Sequence, residues 1–135
     1  MITSLQNPTI KKIVKLSKSR ERREQQLFVL EGARELSLAL QGGYAITEVY
    51  LCREMFVHSK YPEVLDSLPV EVITDISPAV FAKIAYRENS DGVVALARPK
   101  SHTLEELTLG ENPFLILLES VEKPGNLGAV LRTAD

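Results

Sequence analysis

Apolar and polar positions alternate along this chain at two periods, one helical and one extended. "NPTIKKIVKLSKSRERREQQ" (7–26) sets Ile10, Ile13, Val14 and Leu16 at mostly helical spacing, with Lys11, Lys12, Lys15 and Lys18 on the other side. That spacing predicts a helix, and Pro8 suits its first turn. "LFVLEG" (27–32) is a short apolar run closed by glycine, the pattern of a buried strand. "ARELSLALQGG" (33–43) places Ala33, Leu36 and Leu40 on one helical face and stops at Gly42 and Gly43. "ITEVYLC" (46–52) and "VEVIT" (70–74) read as strands, and residues 61–67 read as helical. "SPAVFAKIA" (77–85) offers Ser77 as N-cap and Pro78 as first helical residue; "GVVALAR" (92–98) is a further strand.

Strand and helix thus alternate about four times within the first 100 residues. The alternation predicts an α/β domain with a mainly parallel sheet covered by helices on both faces. "PKSHTLEELTLGENP" (99–113) interrupts the apolar pattern and reads as a linker with a short helical piece at Leu104–Leu107. "FLILLES" (114–120) has the length and apolarity of a central strand, expected to belong to a second sheet, and a helix is expected from near Asn126. The domain reading is therefore 1–98, a linker at 99–112, and a second unit from 113 to 135.

Composition changes this picture little; charge changes it more. The 135 residues are 44% hydrophobic and 25% charged, ordinary for a globular protein. No apolar run reaches the roughly 20 residues of a membrane helix, and the first residues lack the pattern of a secretory signal. Cys52 has no partner for an intramolecular disulfide and reads as a small core residue; a cytoplasmic location is expected. His58 and His102 show no metal-ligand spacing and read as surface residues, so no metal is expected. The net charge is −2, yet residues 1–34 carry eight Lys/Arg against three acids. A basic segment on an otherwise acidic chain can hold an anionic polymer through one face. Lys11, Lys12, Arg22, Arg23 and Arg34 are the candidate RNA contacts, directed at phosphates; the alternative is a solvated helix face. Glu31 is read as a structural partner of Arg22, Arg23 or Arg34. The tyrosines Tyr44, Tyr50, Tyr61 and Tyr86 can stack on bases or pack in and around the core.

The last twelve residues, "PGNLGAVLRTAD" (124–135), concentrate the chemistry. An apolar strand, a glycine-containing loop and a helix start form the usual ligand-binding corner of an α/β fold. Asn126 is a candidate N-cap, and Gly125 allows a positive φ or a close backbone approach. Gly128 and Arg132, four residues apart, share a helical face, with Arg132 leaning back over Gly128. This arrangement suits a phosphate or an ionising hydroxyl; alternatively Gly128 permits close helix packing and Arg132 is a surface residue.

"ILLESVEKPGNLGAVLRTAD" resembles the first signature motif of the SpoU-type RNA ribose 2′-O-methyltransferases of the knotted SPOUT class. Pro124, Asn126, Gly128, Ala129, Arg132, Thr133 and Ala134 match that motif in register. Glu119 stands where many members carry Asp, Lys123 where Asp or Asn is frequent, and Asp91 where Gln is usual. "NPTIKKIVKL", "RRE", "FVLEGAR" and "DGVVALARP" are similar to successive blocks of the family's auxiliary RNA-binding domain. The resemblance implies a three-layer α/β/α N-terminal domain similar to kink-turn-binding ribosomal proteins, followed by the first strand and helix of an incomplete trefoil-knot domain. It implies residues 1–98 as substrate RNA-binding domain and 113–135 as the start of the methyltransferase domain. It also implies methyl transfer from S-adenosylmethionine to a ribose 2′-hydroxyl of tRNA or rRNA, with Asn126 and Arg132 catalytic and a homodimeric full-length enzyme. Arginine's pKa, at or above about 12, suits charge stabilisation of the developing alkoxide better than proton acceptance, though both roles stay open. The cofactor-binding motifs of the family lie beyond the first motif, so the chain is expected to be part of a longer enzyme and inactive alone. The alternative is a non-catalytic RNA-binding module of the kink-turn type.

Overall fold

The computed structural model describes residues 1–87 and 90–134. Two compact units result, Met1–Ser101 and His102–Asp135. The first contains α1 (Pro8–Lys15), α2 (Ser19–Gln25), β1 (Phe28–Glu31), α3 (Ala33–Gln41), β2 (Ile46–Leu51), α4 (Arg53–Phe56), β3 (Ile73–Asp75), α5 (Pro78–Ile84) and β4 (Val93–Ala97). The basic stretch 7–26 forms two helices rather than one, because α1 ends at Leu16 and the chain turns before Ser19. Arg22 holds this corner: its Nη1 donates to the carbonyls of Leu16 (2.9 Å) and Ser17 (2.7 Å) at the carbonyl-rich end of α1. Asn7 caps α1 by accepting the Thr9 N–H at 2.9 Å, and Ser77 caps α5 by accepting from Val80. Residues 62–67 form a 3₁₀ helix. Of the 70–74 run, Val70–Val72 also turn into a 3₁₀ helix, and the strand starts only at Ile73.

The four strands lie in the order β1-β4-β2-β3. β2 and β3 are parallel, but β4 sits antiparallel between β1 and β2. The sheet is mixed, a correction to the mainly parallel sheet that the helix–strand alternation predicts. The cause is local. After α5 the chain is fastened to the carboxyl end of β1, where Glu31 accepts the N–H of Tyr86 (2.6 Å) and of Arg87 (3.0 Å). A strand that starts at that end and pairs with β1 runs antiparallel to it. Periodicity reports which face a strand presents, not the end from which it enters.

The sheet is buried on both sides. Val94 and Leu96 of β4, with Tyr50 and Cys52, face Ile10, Ile13, Leu16, Val80, Phe81 and Ile84 from α1 and α5. Val93 and Ala95, with Val49 and Leu51, face Ala33 and Leu36 of α3 and Val64. Helices therefore cover both faces, and β4 is buried at all five positions, as suits an inner strand. The apolar stripe Ile10, Ile13, Leu16 is what anchors the basic α1; each such side chain contributes about 1.5–3 kcal/mol on full burial. Every buried residue of the described chain lies between Ile10 and Ala97.

The second unit contains a 3₁₀ turn at Leu104–Glu106, with a Thr103–Glu106 capping box, and α6 (Pro124–Ala134). Residues 114–120 form no strand, contrary to their pattern. A strand needs a partner for its peptide groups, and among the described residues of this unit there is no other strand to pair with. Leu117 is 98% exposed, and Phe114, Leu115, Ile116 and Leu118 are exposed too.

Candidate nucleic-acid interface

Phe28 to Glu31 form an outer strand of the sheet, and two clefts meet along it. One, of about 690 Å³, follows β1 between the end of α1 and the end of α5. Leu16, Phe28, Leu30 and Ile84 give it an apolar floor, and Arg22, Lys83, Tyr86 and Arg87 stand around it. The other, of about 630 Å³, lies between α2 and the residues after β4, lined by Ser19, Arg22, Arg23, Gln26, Phe28 and Lys100 among others.

Tyr86 and Arg87, on the border of the first cleft, and Asp91, just before β4, are tied to the junction of β1 and α3. Glu31, only 9% exposed, has its carboxylate occupied by the Tyr86 and Arg87 N–H groups rather than by Arg22, Arg23 or Arg34, so the pairing expected from sequence is corrected. A buried carboxylate is tolerated where such donors satisfy it. The Arg87 guanidinium donates to Glu35 at 3.1 Å. Asp91 accepts the Ala33 N–H at 3.0–3.1 Å with both oxygens, capping α3, and also accepts from the Ser59 hydroxyl at 3.1 Å. Gly32 and Gly92 both take positive φ, +108° and +86°, on either side of this junction. "EGAR" and "DG" are thus one structural device.

The five candidate cations divide. Lys11, Arg23 and Arg34 are exposed. Lys12 forms a half-exposed ion pair with Glu48 at 3.5 Å, and Arg22 is largely engaged by the end of α1. Arg22 and Arg23 line a common groove; Lys11, Lys12 and Arg34 do not line it. Lys100 was missed by the charge count because it falls beyond the basic segment. Its ammonium lies 4.8 Å over the Tyr44 ring and donates to the Gly42 carbonyl. Tyr44 in turn meets Phe28 edge-on at 5.7 Å. Of the tyrosines, Tyr50 is in the core and donates to Glu48, whereas Tyr86 is 96% exposed. Cys52 is buried, His58 and His102 are exposed, and no cluster of metal-ligating side chains occurs among the described residues. Among the described residues, no helix is long and apolar enough to cross a membrane.

At the other end of the chain, α6 begins at Pro124, so Asn126 lies within its first turn and is not the N-cap. Gly125 has no positive φ, and a β-carbon added there would meet nothing within 4 Å beyond its own helix. Gly128 and Arg132 do share a face of α6. Asn126 and Arg132, six helical positions apart, stand about 9 Å apart along the axis and about 120° apart around it, so this helix does not bring them together. Asp135, the last residue of the motif, lies outside the described residues. The cleft against α6, about 410 Å³, is lined by Phe114, Ile116, Ala129, Val130, Thr133 and Ala134. Its one hydroxyl, Thr133, already donates to the Ala129 carbonyl. Such a lining offers no polar groups for an adenosine or an amino-acid moiety, so these residues do not by themselves fit S-adenosylmethionine.

Residues 7–95 match the family described as the MRM3-like substrate binding domain. The chain belongs to that family. It is 33% identical over 138 residues to an uncharacterized tRNA/rRNA methyltransferase of Synechocystis, with 98% of this chain and 48% of that protein covered. Mouse mitochondrial rRNA methyltransferase 3 is 27% identical, with 90% and 30% covered. Among solved structures, an RNA 2′-O ribose methyltransferase matches with a TM-score of 0.78 and 37% identity, over 99% of this chain and 51% of that one. The SpoU methyltransferase AviRb of Streptomyces viridochromogenes, solved with AdoMet, shares the fold at a TM-score of 0.76 and 22% identity, over 96% and 49%. The MRM3-like chain thus spans about half or less of the length of these relatives.

Proposed function

We propose that this chain is the RNA-recognition part of an S-adenosylmethionine-dependent methyltransferase that modifies a ribose 2′-hydroxyl of tRNA or rRNA in the cytoplasm. The observation that carries the reading is the match of residues 7–95 to a substrate-binding domain. The basic groove at Arg22, Arg23 and Lys100 supports it, since cations lining a concavity suit a phosphate backbone. In this reading residues 1–98 hold the RNA, 99–112 link, and 113–135 begin the catalytic domain. Arg132 would stabilise the developing alkoxide, and Asn126 would orient it or the RNA, once further parts of a homodimeric parent enzyme complete the site.

By itself the chain is inactive in this reading. Mobility shifts with tRNA and with rRNA fragments test the first half: binding that weakens steeply with salt is expected, and none at 50 mM KCl overturns it. Calorimetry with S-adenosylmethionine tests the second half, where micromolar binding would show the reading wrong. Within an intact parent enzyme, Arg132→Lys is expected to abolish methylation, and near-normal activity would remove Arg132 from the mechanism.

A further inference from the structure

The two clefts that meet at the start of β1 differ in chemistry yet share Arg22 and Phe28. The groove at Arg22, Arg23 and Lys100 has no carboxylate in its lining. Lys100 is held in place, over Tyr44 and against the Gly42 carbonyl, so its charge is positioned before any ligand arrives. The cleft along β1 has an apolar floor and, on its border, Tyr86, a residue 96% exposed. The backbone beneath that ring is fixed, because the Tyr86 and Arg87 N–H groups both bind the buried Glu31 carboxylate. An aromatic ring left in water on an anchored backbone is a ready stacking platform. The carboxylate below it is already spent on two donors and does not repel an anion as a free one would.

We propose that a single-stranded RNA segment crosses β1, with its phosphates in the Arg22, Arg23 and Lys100 groove and an adjacent unpaired base in the β1 cleft against Tyr86. The proposal rests on the RNA-binding reading above and specifies its ligand. Duplex RNA fits poorly, because its bases are already stacked inside the helix and cannot enter an apolar cleft. A protein strand added to β1 is the competing occupant. Gly32 donates to Val93 at 3.0 Å, so the alternation of an antiparallel ladder turns the peptide groups of Val29 and Glu31 to the open side. A strand, however, would have only four residues of β1 to pair with and would leave the cations of the groove unneutralised.

Fluorescence anisotropy of the 135-residue chain with a labelled mixed-sequence RNA octamer, alone and annealed to its complement, tests the assignment over 50–200 mM KCl. The single strand is expected to bind at least about tenfold more tightly than the duplex, and Tyr86→Ala to weaken it about tenfold while Tyr86→Phe does not. Arg23→Gln combined with Lys100→Gln is expected to lower the slope of log K against log salt by about 1.4. Circular dichroism confirms that each variant is folded. Unchanged single-strand binding by both Tyr86→Ala and the double variant, or equal binding of the duplex, overturns the track and leaves RNA binding itself standing. No binding of any RNA by the unaltered chain overturns both. A dimer in sedimentation that excludes RNA from the β1 edge would give that edge to a protein strand and likewise overturn the proposal.

Discussion

At the residue scale, Gly92 is closely walled in by backbone. With φ at +86°, a β-carbon there would stand 2.7 Å from the Cys52 carbonyl oxygen and the Phe56 nitrogen and 2.8 Å from Met55 Cβ. Two of those three are backbone atoms and cannot swing aside. Gly92→Ala is therefore expected to destabilise the first unit by about 3 kcal/mol or more, measured by urea denaturation. Tyr50 gives a residue-scale prediction in pH. Burial, and then its hydrogen bond to Glu48 and that carboxylate's charge, hold the phenol well above its ordinary value of 10.0. The folded state then keeps a proton that the unfolded chain loses. Stability from this group is complete below pH 10 and falls as the pH rises further. Tyr50→Phe should lack that part of the alkaline decline, so denaturation midpoints of the two proteins at pH 8 and 11 should converge or cross. An identical pH dependence would refute the assignment. Both residues were legible in sequence only as types. Glycine before a strand and tyrosine within one are ordinary; their constraint comes from what packs against them.

At the scale of elements, the helix periods, glycine stops and caps read from the sequence correspond to α1, α3 and α5 because those signals act within one turn of chain. The departures arise where a neighbour decides. The 7–26 helix breaks where Arg22 folds back on the end of α1, and residues 114–120 stay outside any strand for want of a partner. The cap of α3 is the plainest case. Gly32 precedes the helix and offers no side chain, so the first-turn donor is satisfied from 58 residues away by Asp91. No local pattern can show that. Asp91→Ala should cost about 1 kcal/mol or more, since it removes a charged cap and the Ser59 partner together. The loss should appear as faster hydrogen exchange at the amides of the first turn of α3. Protection equal to the wild type there would mean that the cap contributes nothing. The same reasoning explains the candidate interface. Arg22 and Arg23 were visible in the basic segment, but Lys100 and Tyr86 join them only because β1, the end of β4 and the residues just after α5 converge on one edge.

For the molecule as a whole, burial and chemistry are distributed unequally. The buried core is confined to residues 10–97, and the second unit has no buried residue among those described. A chain cut after Ser101 keeps every core contact and both clefts along β1. It should unfold cooperatively with a midpoint within a few degrees of the 135-residue chain, and bind RNA equally well. What it should lose is the affinity for apolar surfaces that Phe114, Leu115 and Leu117 confer while exposed. Binding of a hydrophobic dye in the native state, strong for the 135-residue chain and weak for the shorter one, measures that difference directly. If removal of residues 102–135 instead lowered the midpoint by tens of degrees, the second unit would be part of the cooperative core. The apolar run read as a central strand would then have found its partner within the chain. The run has the composition of a buried strand, and its burial requires a sheet that the described residues of this unit do not form.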